Sequence, residues 1–430
     1  MNYYSTNKKA PLASLEKAVV KGLAEDRGLY MPERIKPLSQ SFFDSIQDLS
    51  FHKIAYTVAD AFFGEDVEAD SLRRIVEDTL SFPCPVVKVT DQIYSLELFH
   101  GPTLAFKDVG ARFMARLLQY LNKEEKVNVL VATSGDTGSA VANGFLGVEG
   151  IHVYVLYPKG KVSPIQECQF TTLGQNITAI EVDGVFDDCQ ALVKNAFMDD
   201  ELNAHMRLTS ANSINVARFL PQSFYYFQAF AQMKKLGKAD DLVMCVPSGN
   251  FGNICSALFG HAMGLPFKRF IAANNANDIF YNYLRTGIYE PKPSVQTLAN
   301  AMDVGDPSNF ARIYELYGKS HSRITKIISG ATYTDEQIAK TMQECYGQTG
   351  YTLDPHGACG YQALEDLLQE GETGVFCETA HPAKFKEKVD RILEIDTPIP
   401  ARLAEFMKGT KQSIPMSKEF SDFKKYLMEQ

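Results

Sequence analysis

The spacing of hydrophobic residues predicts a helix-rich segment at the start of the chain. From Leu12 to about Leu80, apolar residues recur every three or four positions, which places them on one face of a helix. Glycine and proline interrupt this pattern at residues 28–32, where we predict a turn. Two short runs, 86–89 and 94–98, are rich in β-branched, aromatic or leucine residues and predict a pair of strands.

After these strands the pattern changes, and short apolar runs alternate with segments of helical spacing. The predicted strands cover residues 127–131, 151–157, 177–182, 242–246, 270–273 and 375–377. Buried strands separated by helices are typical of parallel sheets that carry helices on their faces. The pattern therefore predicts an α/β fold.

Composition and charge narrow the class of protein. The chain has 430 residues, of which 45% are hydrophobic and 22% charged, so it can fill more than one core, and two domains are expected. The net charge is −9 and no basic cluster is present, which argues against a nucleic-acid partner. The N-terminus has no apolar signal segment and no apolar run is long enough to span a bilayer, so we expect a cytoplasmic protein without a membrane partner.

Cysteine and histidine usage gives no sign of a metal. The eight cysteines are irregularly spaced, without a C-x-x-C pair, and are expected to be reduced and mostly buried. No H-E-x-x-H pattern is found among the eight histidines, so we predict no metal site.

A glycine loop that follows the predicted strand 242–246 can hold a phosphate. We call its five central residues the glycine cup: Gly249, Asn250, Phe251, Gly252 and Asn253. Two glycines three apart at the start of a helix allow backbone N–H groups to close around an anion. The spacing is that of neither a nucleoside triphosphate loop nor a dinucleotide loop, so a smaller phosphate fits better. The alternative is a tight turn between strand and helix.

A second glycine loop follows the predicted strand 127–131 and contains several hydroxyl groups. We call it the hydroxyl loop: Thr133, Ser134, Gly135, Asp136 and Thr137. Its hydroxyl and N–H groups suit the binding of a carboxylate. The alternative is a helix cap, in which Ser134 or Thr137 satisfies N–H groups of the first helical turn.

Lys107 lies at a turn-to-helix junction behind the apolar residues Leu104, Ala105 and Phe106. An apolar environment disfavours the ammonium form and lowers the lysine pKa, which prepares the amine to form a Schiff base with an aldehyde. The alternative is a surface lysine whose stem covers apolar residues while its amine stays in water.

Two further segments carry candidate binding residues. Ser213, Asn215 and Arg218 precede a predicted helix that contains Phe219 and Phe224, and Arg218 could contact a phosphate or pair with a carboxylate. Thr379 follows the last predicted strand, where its hydroxyl could meet a ring nitrogen or cap a helix.

Taken together, these motifs resemble those of a known enzyme family. A Schiff-base lysine early in the chain, a phosphate cup late and a hydroxyl after the last strand describe a pyridoxal phosphate enzyme. The chain resembles the threonine synthases of the longer class, within the fold type II family of such enzymes. The resemblance extends from residues 22–30 to residues 379–385, and the segment 99–108 is its most specific part.

The resemblance implies a fold and a role for each site residue. The fold would comprise a helix-rich N-terminal region, residues 1–90, and a catalytic region, residues 91–430, of two interleaved parallel-sheet domains with the cofactor in the cleft between them. Lys107 would form the Schiff base, the glycine cup would bind the cofactor phosphate, and Thr379 would contact the pyridine nitrogen. The hydroxyl loop would bind the substrate carboxylate, and Ser213, Asn215 and Arg218 the substrate phosphate.

The expected activity is the conversion of O-phospho-L-homoserine and water to L-threonine and phosphate, by a monomer or homodimer. Three alternatives remain open. A fold type II dehydratase acting on serine or threonine would not need the cluster of residues 212–218, and a catalytically silent relative would not need Lys107. A nicotinamide-dependent oxidoreductase would need a different glycine spacing.

Overall fold

The computed structural model of the chain describes residues 1–122 and 126–430. Its strands are β1 (Tyr3–Ser5), β2 (Tyr30–Pro32), β3 (Val86–Lys88), β4 (Ile93–Glu97), β5 (Val127–Ala132), β6 (Ile151–Pro158), β7 (Ile177–Val182), β8 (Arg207–Ser210), β9 (Leu242–Pro247), β10 (Arg269–Asn274), β11 (Ile328–Thr332), β12 (Thr373–Glu378) and β13 (Ile414–Met416).

The α-helices are α1 (Leu15–Lys21), α2 (Gln40–Ser45), α3 (Phe51–Phe63), α4 (Ala69–Thr79), α5 (Lys107–Leu121), α6 (Asp136–Phe145), α7 (Pro164–Thr171), α8 (Phe186–Met198), α9 (Asp200–His205), α10 (Val216–Phe219), α11 (Ser223–Lys235), α12 (Gly252–Ala262), α13 (Ile279–Thr286), α14 (Phe310–Leu316), α15 (His321–Ile327), α16 (Asp335–Thr349), α17 (Pro355–Leu367), α18 (Lys386–Leu393), α19 (Ala401–Met407) and α20 (Phe420–Met428). Short 3₁₀ turns cover Ile46–Asp48, Leu220–Gln222, Asn300–Met302 and Pro382–Phe385.

The described chain divides into two compact units, each built from segments that are distant in sequence. Unit 1 contains Met1 and residues 31–106 and 219–398, and unit 2 contains residues 2–30, 107–218 and 399–430. The chain therefore passes from one unit to the other between Phe106 and Lys107 and again between Arg218 and Phe219. The predicted division at residue 90 and the predicted cofactor cleft stay predictions.

Unit 1 contains a six-stranded sheet in the order β11-β10-β9-β12-β4-β3. All neighbouring pairs are parallel except β3 and β4, which are antiparallel. Because the carboxyl ends of parallel strands meet at one edge, the loops that follow β9, β12 and β4 all start from the same edge of this sheet. Those loops contain the glycine cup, Thr379 and the approach to Lys107.

Unit 2 contains a five-stranded, all-parallel sheet in the order β13-β7-β6-β5-β8. Every residue of β5 is buried, which accounts for its apolar sequence, interrupted in this strand at Asn128. The hydroxyl loop follows β5, and the segment with Ser213, Asn215 and Arg218 follows its neighbour β8. Two of the predicted substrate-binding segments therefore start from one edge of the second sheet.

The predicted α/β class with parallel sheets is confirmed, and so is the predicted pair of strands near residue 90, which is antiparallel. The predicted turn at residues 28–32 is wrong in its second half, because Tyr30–Pro32 forms β2, which pairs with β1. The predicted single helix with Phe219 and Phe224 is also wrong: α10 ends at Phe219 and a 3₁₀ turn precedes α11. Pro221 within that turn lacks the N–H that a continuous helix would use.

Seven of the eight cysteines are buried, as predicted, and Cys168 is partly exposed. Burial raises the pKa of the Cys377 thiol to about 12, so this side chain packs as a neutral apolar group. Among the described residues, no helix combines the length and the hydropathy needed to cross a membrane. No cluster of potential metal ligands is found in the same part of the chain.

Glycines let α5, the helix that begins with Lys107, pack closely in unit 2. A Cβ on Gly110 would lie 2.3 Å from the backbone oxygen of Arg218, and one on Gly144 of α6 would lie 3.0 Å from the backbone of Ala111. Real Cβ atoms do not approach backbone atoms as closely as the first of these distances. The position of Lys107 therefore depends on the absence of a side chain at Gly110.

We expect Gly110→Ala to lower the free energy of unfolding by about 1–3 kcal/mol, because the backbone around Arg218 must move. Gly347→Ala is the matched control: Gly347 is also helical, and a Cβ there meets no atom within 4 Å. The control should be neutral or stabilising by up to about 1 kcal/mol. Chemical denaturation of both variants measures the difference, and equal stabilities would contradict the packing argument.

Candidate functional site

The loop between β4 and Lys107 is fixed to the segment that follows β12. The N–H of Phe106 donates to the carbonyl oxygen of Thr379 at 2.8 Å, and the N–H of His381 donates to that of Leu104 at 3.0 Å. Lys107, the first residue of α5, follows Phe106 directly. The backbone that leads to the candidate catalytic lysine is therefore held by the backbone around Thr379.

Backbone strain marks two of the candidate loops. Eight non-glycine residues of the described chain have positive φ, and only Leu104 and Phe251 among them are buried. Leu104, at φ 58°, lies three residues before Lys107, and Phe251, at φ 64°, lies in the glycine cup. Left-handed backbone costs free energy in bulky residues and tends to occur at functional sites. These outliers therefore support the assignment of both loops to a site.

The amine of Lys107 contacts the hydroxyl loop. Its Nζ donates a hydrogen bond to Thr137 Oγ1 at 2.9 Å, and the side chain is only partly exposed. The partner lies in the first turn of α6, which packs against α5 in the same unit. The structure thus brings two residues that the sequence predicted separately into direct contact.

The hydroxyl loop is shaped by Thr133. Its Oγ1 accepts hydrogen bonds from the N–H groups of Gly135 and Gly138, at 2.9 and 2.8 Å. Gly135 has φ 145°, a conformation suited to glycine, and caps α6 without a side-chain hydrogen bond. Thr133 is buried, and Ser134 is exposed with no side-chain hydrogen bond to any described residue. Ser134 is therefore the hydroxyl of this loop that is open to a ligand.

Asp136 is held by a neighbouring helix. The Nε2 of Gln166 donates to Asp136 Oδ1 at 3.1 Å, and both side chains are buried. A Cβ on Gly135 would lie 2.7 Å from the amide of Gln166. Gln166, which sequence analysis did not single out, therefore sets the position of the Asp136 carboxylate.

The glycine cup joins the end of β9 to the first turn of α12. Asn253 fixes it from inside: Nδ2 donates to the carbonyl of Pro247 at 2.9 Å, and Oδ1 accepts from the N–H of Ile254 at 2.9 Å. A Cβ on Gly249 would lie 2.9 Å from both the carbonyl oxygen of Ala301 and the Cα of Met302. The backbone at Gly249 is thus packed against a second backbone segment.

A loop that sequence analysis missed supports the cup at Asn250. The N–H of Ser308 donates to Asn250 Oδ1 at 2.7 Å, and Asn309 Nδ2 donates to the Asn250 carbonyl at 3.1 Å. The buried Arg312 in turn donates to Asn309 Oδ1 at 2.8 Å, and its guanidinium lies 4.1 Å from the centre of the Phe219 ring. Burial lowers the pKa of Arg312 to about 10, which leaves it charged at neutral pH.

Thr379 lies just beyond β12 and is 7% exposed. Its hydroxyl makes no side-chain hydrogen bond to any residue that the structure describes. The preceding Glu378 is fully buried, and burial followed by the charge of Asp354 raises its pKa well above the usual range. The hydroxyl of Thr379, and not the buried carboxyl of Glu378, is therefore the group here that can hydrogen-bond a ligand.

The segment after β8 is arranged differently from its expected role. Both amide hydrogens of Asn215 are already used, by the carbonyls of Val19 at 2.8 Å and Ser210 at 3.2 Å. Arg218 is 1% exposed and its Nη1 donates to the carbonyl of Ala211. Burial lowers the pKa of Arg218 to about 10, and Asp108 opposes that shift. Of the three predicted phosphate ligands, only Ser213 is partly exposed.

The fold, with its lysine and glycine loops at the carboxyl ends of parallel strands, is that of the fold type II pyridoxal phosphate enzymes. Residues 85–375 match the family described as "Pyridoxal-phosphate dependent enzyme". Residues 2–80 match "Threonine synthase N terminus" and residues 357–427 match "Threonine synthase, C-terminal". The chain belongs to the threonine synthase family, which confirms the resemblance read from the sequence.

Individual relatives agree over the full length of the chain. Threonine synthase of Haemophilus influenzae is 44% identical, with 100% of both chains covered. The crystal structure of the Escherichia coli threonine synthase superposes with a TM-score of 0.94 at 43% identity, covering 100% of both chains. A PLP-bound threonine synthase from Brucella melitensis superposes with a TM-score of 0.93 at 34% identity, covering 100% of this chain and 99% of that one.

Pyridoxal phosphate is therefore the cofactor, and the residues present fit it. The cup has no side chain at Gly249, where a Cβ would collide with Ala301, and it opens α12, whose N-terminal N–H groups favour an anion. Thr379 offers an unpartnered hydroxyl among the described residues. Lys107 offers a primary amine that Thr137 holds in place.

Two isosteric variants separate the roles of the two threonines of the hydroxyl loop. Thr137→Val removes the acceptor of Lys107 Nζ, and we expect roughly tenfold slower attachment of the cofactor with little loss of stability. Thr133→Val leaves two buried N–H groups without an acceptor and should cost about 2 kcal/mol or more of stability. Stopped-flow absorbance and thermal denaturation measure the two effects. Equal changes in the rate of cofactor attachment and in thermal stability in the two variants would argue against distinct roles.

Proposed function

We infer that this chain catalyses the conversion of O-phospho-L-homoserine and water to L-threonine and phosphate. The observation that carries this inference is the match to threonine synthases over the whole chain, at 44% identity to the Haemophilus influenzae enzyme. It is supported by Lys107, which opens α5 with its amine held by Thr137. A catalytically silent relative would have no need of that arrangement.

When bound, pyridoxal phosphate stabilises negative charge on the substrate carbon next to the amino group. Lys107 would hold the cofactor through its amine, and Nζ would become available as a base once the substrate amine is bound there instead. The freed Nζ would remove the Cα proton, pass it on, and then remove a proton from Cβ while phosphate leaves Cγ with the electrons of the C–O bond. Water would add its oxygen at Cβ. Of the three protons released from Cα, Cβ and water, one returns to Cα, one is delivered to Cγ and one goes to the departing phosphate. Thr137 Oγ1 orients Nζ while the amine is free.

We propose that the glycine cup binds the cofactor phosphate and that Thr379 contacts the pyridine nitrogen. The cup supplies backbone N–H groups at the start of α12, with a geometry fixed by Asn253 and by the contacts of Asn250. A hydroxyl does not keep a pyridine nitrogen protonated as a carboxylate would. The site therefore favours elimination and replacement over transamination.

The substrate carboxylate is assigned to the hydroxyl loop, where Ser134 is exposed and the helix α6 begins. A carboxylate is favoured there because the first N–H groups of a helix carry partial positive charge. Thr133, Gly135 and Asp136 shape the loop through the hydrogen bonds described above. In this assignment Thr137 accepts the hydrogen bond from Lys107 Nζ and also belongs to the loop that binds the substrate carboxylate.

The substrate phosphate is assigned to Ser213 and Arg218, with Asn215 holding the loop. Ser213 is partly exposed and can contact the phosphate directly. Arg218 supplies a buried positive charge whose attraction for a dianion is strengthened by its low-dielectric surroundings. Direct contact by Asn215 would require one of its two donor hydrogen bonds to break.

We also propose a cellular compartment and an oligomeric state for the enzyme. The enzyme acts in the cytoplasm, where its substrate and product are small water-soluble amino acids, as a monomer or homodimer. The thiols of the eight cysteines are all free, which suits a reducing compartment.

Borohydride treatment of the enzyme as purified should fix the cofactor covalently on the peptide that contains Lys107, and Lys107→Ala should abolish turnover. Phosphate release from O-phospho-L-homoserine is measured beside deamination of serine and threonine as the control. Faster deamination than phosphate release would favour the dehydratase, and a label on another lysine would contradict the assignment of Lys107.

Arg218→Met should raise KM for O-phospho-L-homoserine roughly tenfold or more, because the buried positive charge that attracts the substrate phosphate is lost. Cofactor absorbance should not change, since the cofactor phosphate is assigned to a different loop. Steady-state kinetics and thermal denaturation are measured together. A fall in stability with an unchanged KM would give Arg218 a structural role and remove it from the substrate site.

A further inference from the structure

A buried series of hydrogen bonds crosses unit 1 between two segments that the proposed function assigns to the cofactor. It begins at Glu378, the residue before Thr379. Glu378 Oε1 accepts a hydrogen bond from the backbone N–H of Asp354 at 2.7 Å. Glu378 and Asp354 are both completely buried, so water cannot replace this bond.

Asp354 extends the series to His356. Asp354 caps the helix α17, since its Oδ1 accepts from the N–H of Gly357 at 2.5 Å, while its Oδ2 lies 3.2 Å from His356 Nδ1. His356 Nε2 accepts a hydrogen bond from the backbone N–H of Ala301 at 3.1 Å. Because a backbone N–H can only donate, Nε2 carries no hydrogen, and the ring hydrogen lies on Nδ1 facing Asp354.

Ala301 lies against the glycine cup. It is the middle residue of the 3₁₀ turn Asn300–Met302, and its carbonyl oxygen is one of the atoms that a Cβ on Gly249 would meet at 2.9 Å. A shift of this turn would therefore press on the backbone of Gly249 or withdraw from it. The ring of His356 is 2% exposed, so its contact with Ala301 is closed to solvent.

We propose that His356 is a positioning residue for the cofactor: it holds the turn Asn300–Met302 against Gly249 and so fixes the backbone N–H groups of the cup. The proposal rests on the proposed function, which assigns the cup to the cofactor phosphate. Asp354 keeps His356 in the tautomer that accepts from Ala301, and Glu378 ties Asp354 to the strand that ends beside Thr379. His356 itself touches neither substrate nor cofactor.

The test compares His356→Asn with His356→Gln. The amide of asparagine reaches about as far as Nδ1 and keeps a partner for Asp354, whereas the amide of glutamine reaches Nε2 and can accept from Ala301. Apo-enzyme is titrated with pyridoxal phosphate, and bound cofactor is followed by absorbance. We expect His356→Asn to raise the cofactor Kd about tenfold or more, because a buried N–H loses its acceptor, and His356→Gln to stay within about threefold of wild type.

His321→Asn is the matched control for a general loss of packing. His321 also lies in unit 1, bonds a backbone carbonyl, that of Leu284, at 2.9 Å and packs its ring against Tyr283. The melting temperature of each apo-variant is measured as well. His321→Asn should lower that temperature without changing the cofactor Kd.

An unchanged Kd in His356→Asn, or an equal rise in both His356 variants, would overturn the positioning role. If the asparagine variant does not fold, the glutamine variant decides: retained affinity supports the proposal and a tenfold loss overturns it. Failure of the proposed function is a different result, because wild-type enzyme would then bind no pyridoxal phosphate or release no phosphate from O-phospho-L-homoserine.

Discussion

Parallel pairing of β12 with β9 on one side and β4 on the other is the constraint on which the proposed cofactor-binding loops of unit 1 depend. Each parallel pair puts the carboxyl ends of its strands at the same edge. The loops that follow the neighbouring strands β9, β12 and β4 therefore start from one edge of the sheet. The three strands are buried over most of their length, which stabilises this arrangement. The polar residues of the loops are then free to be selected for chemistry.

Strained backbone at two buried residues lowers the stability of the fold. Leu104 and Phe251 are bulky, buried and left-handed, a combination that costs of order 1–3 kcal/mol at each position. Hydrogen bonds on both sides of Leu104 and the tight packing of the cup offset this cost. A relaxed backbone at either place would be more stable locally, but it would direct the N–H groups and the lysine elsewhere.

The sequence predicts those parts of the fold and of the site whose residues are neighbours in the chain. Lys107 and both glycine loops could be found because glycines, hydroxyls and an unusual lysine are neighbours in the chain. β8 and β11 were missed because they lie at sheet edges, where polar residues and Gly330 interrupt the apolar pattern. His356 and Asn309 gave no local signal, since their partners lie 55 and 59 residues away.

The long-range pairing of β13 has a consequence for how the protein is made. β13 closes the edge of the unit 2 sheet by pairing with β7, more than 200 residues upstream, so that edge stays open until residues 414–416 have been synthesised. An apolar strand with unpaired N–H and C=O groups is a template for aggregation. During synthesis the β7 edge is therefore exposed for the whole time that the residues between β7 and β13 are made, and a chain that stops before β13 would keep this template for aggregation.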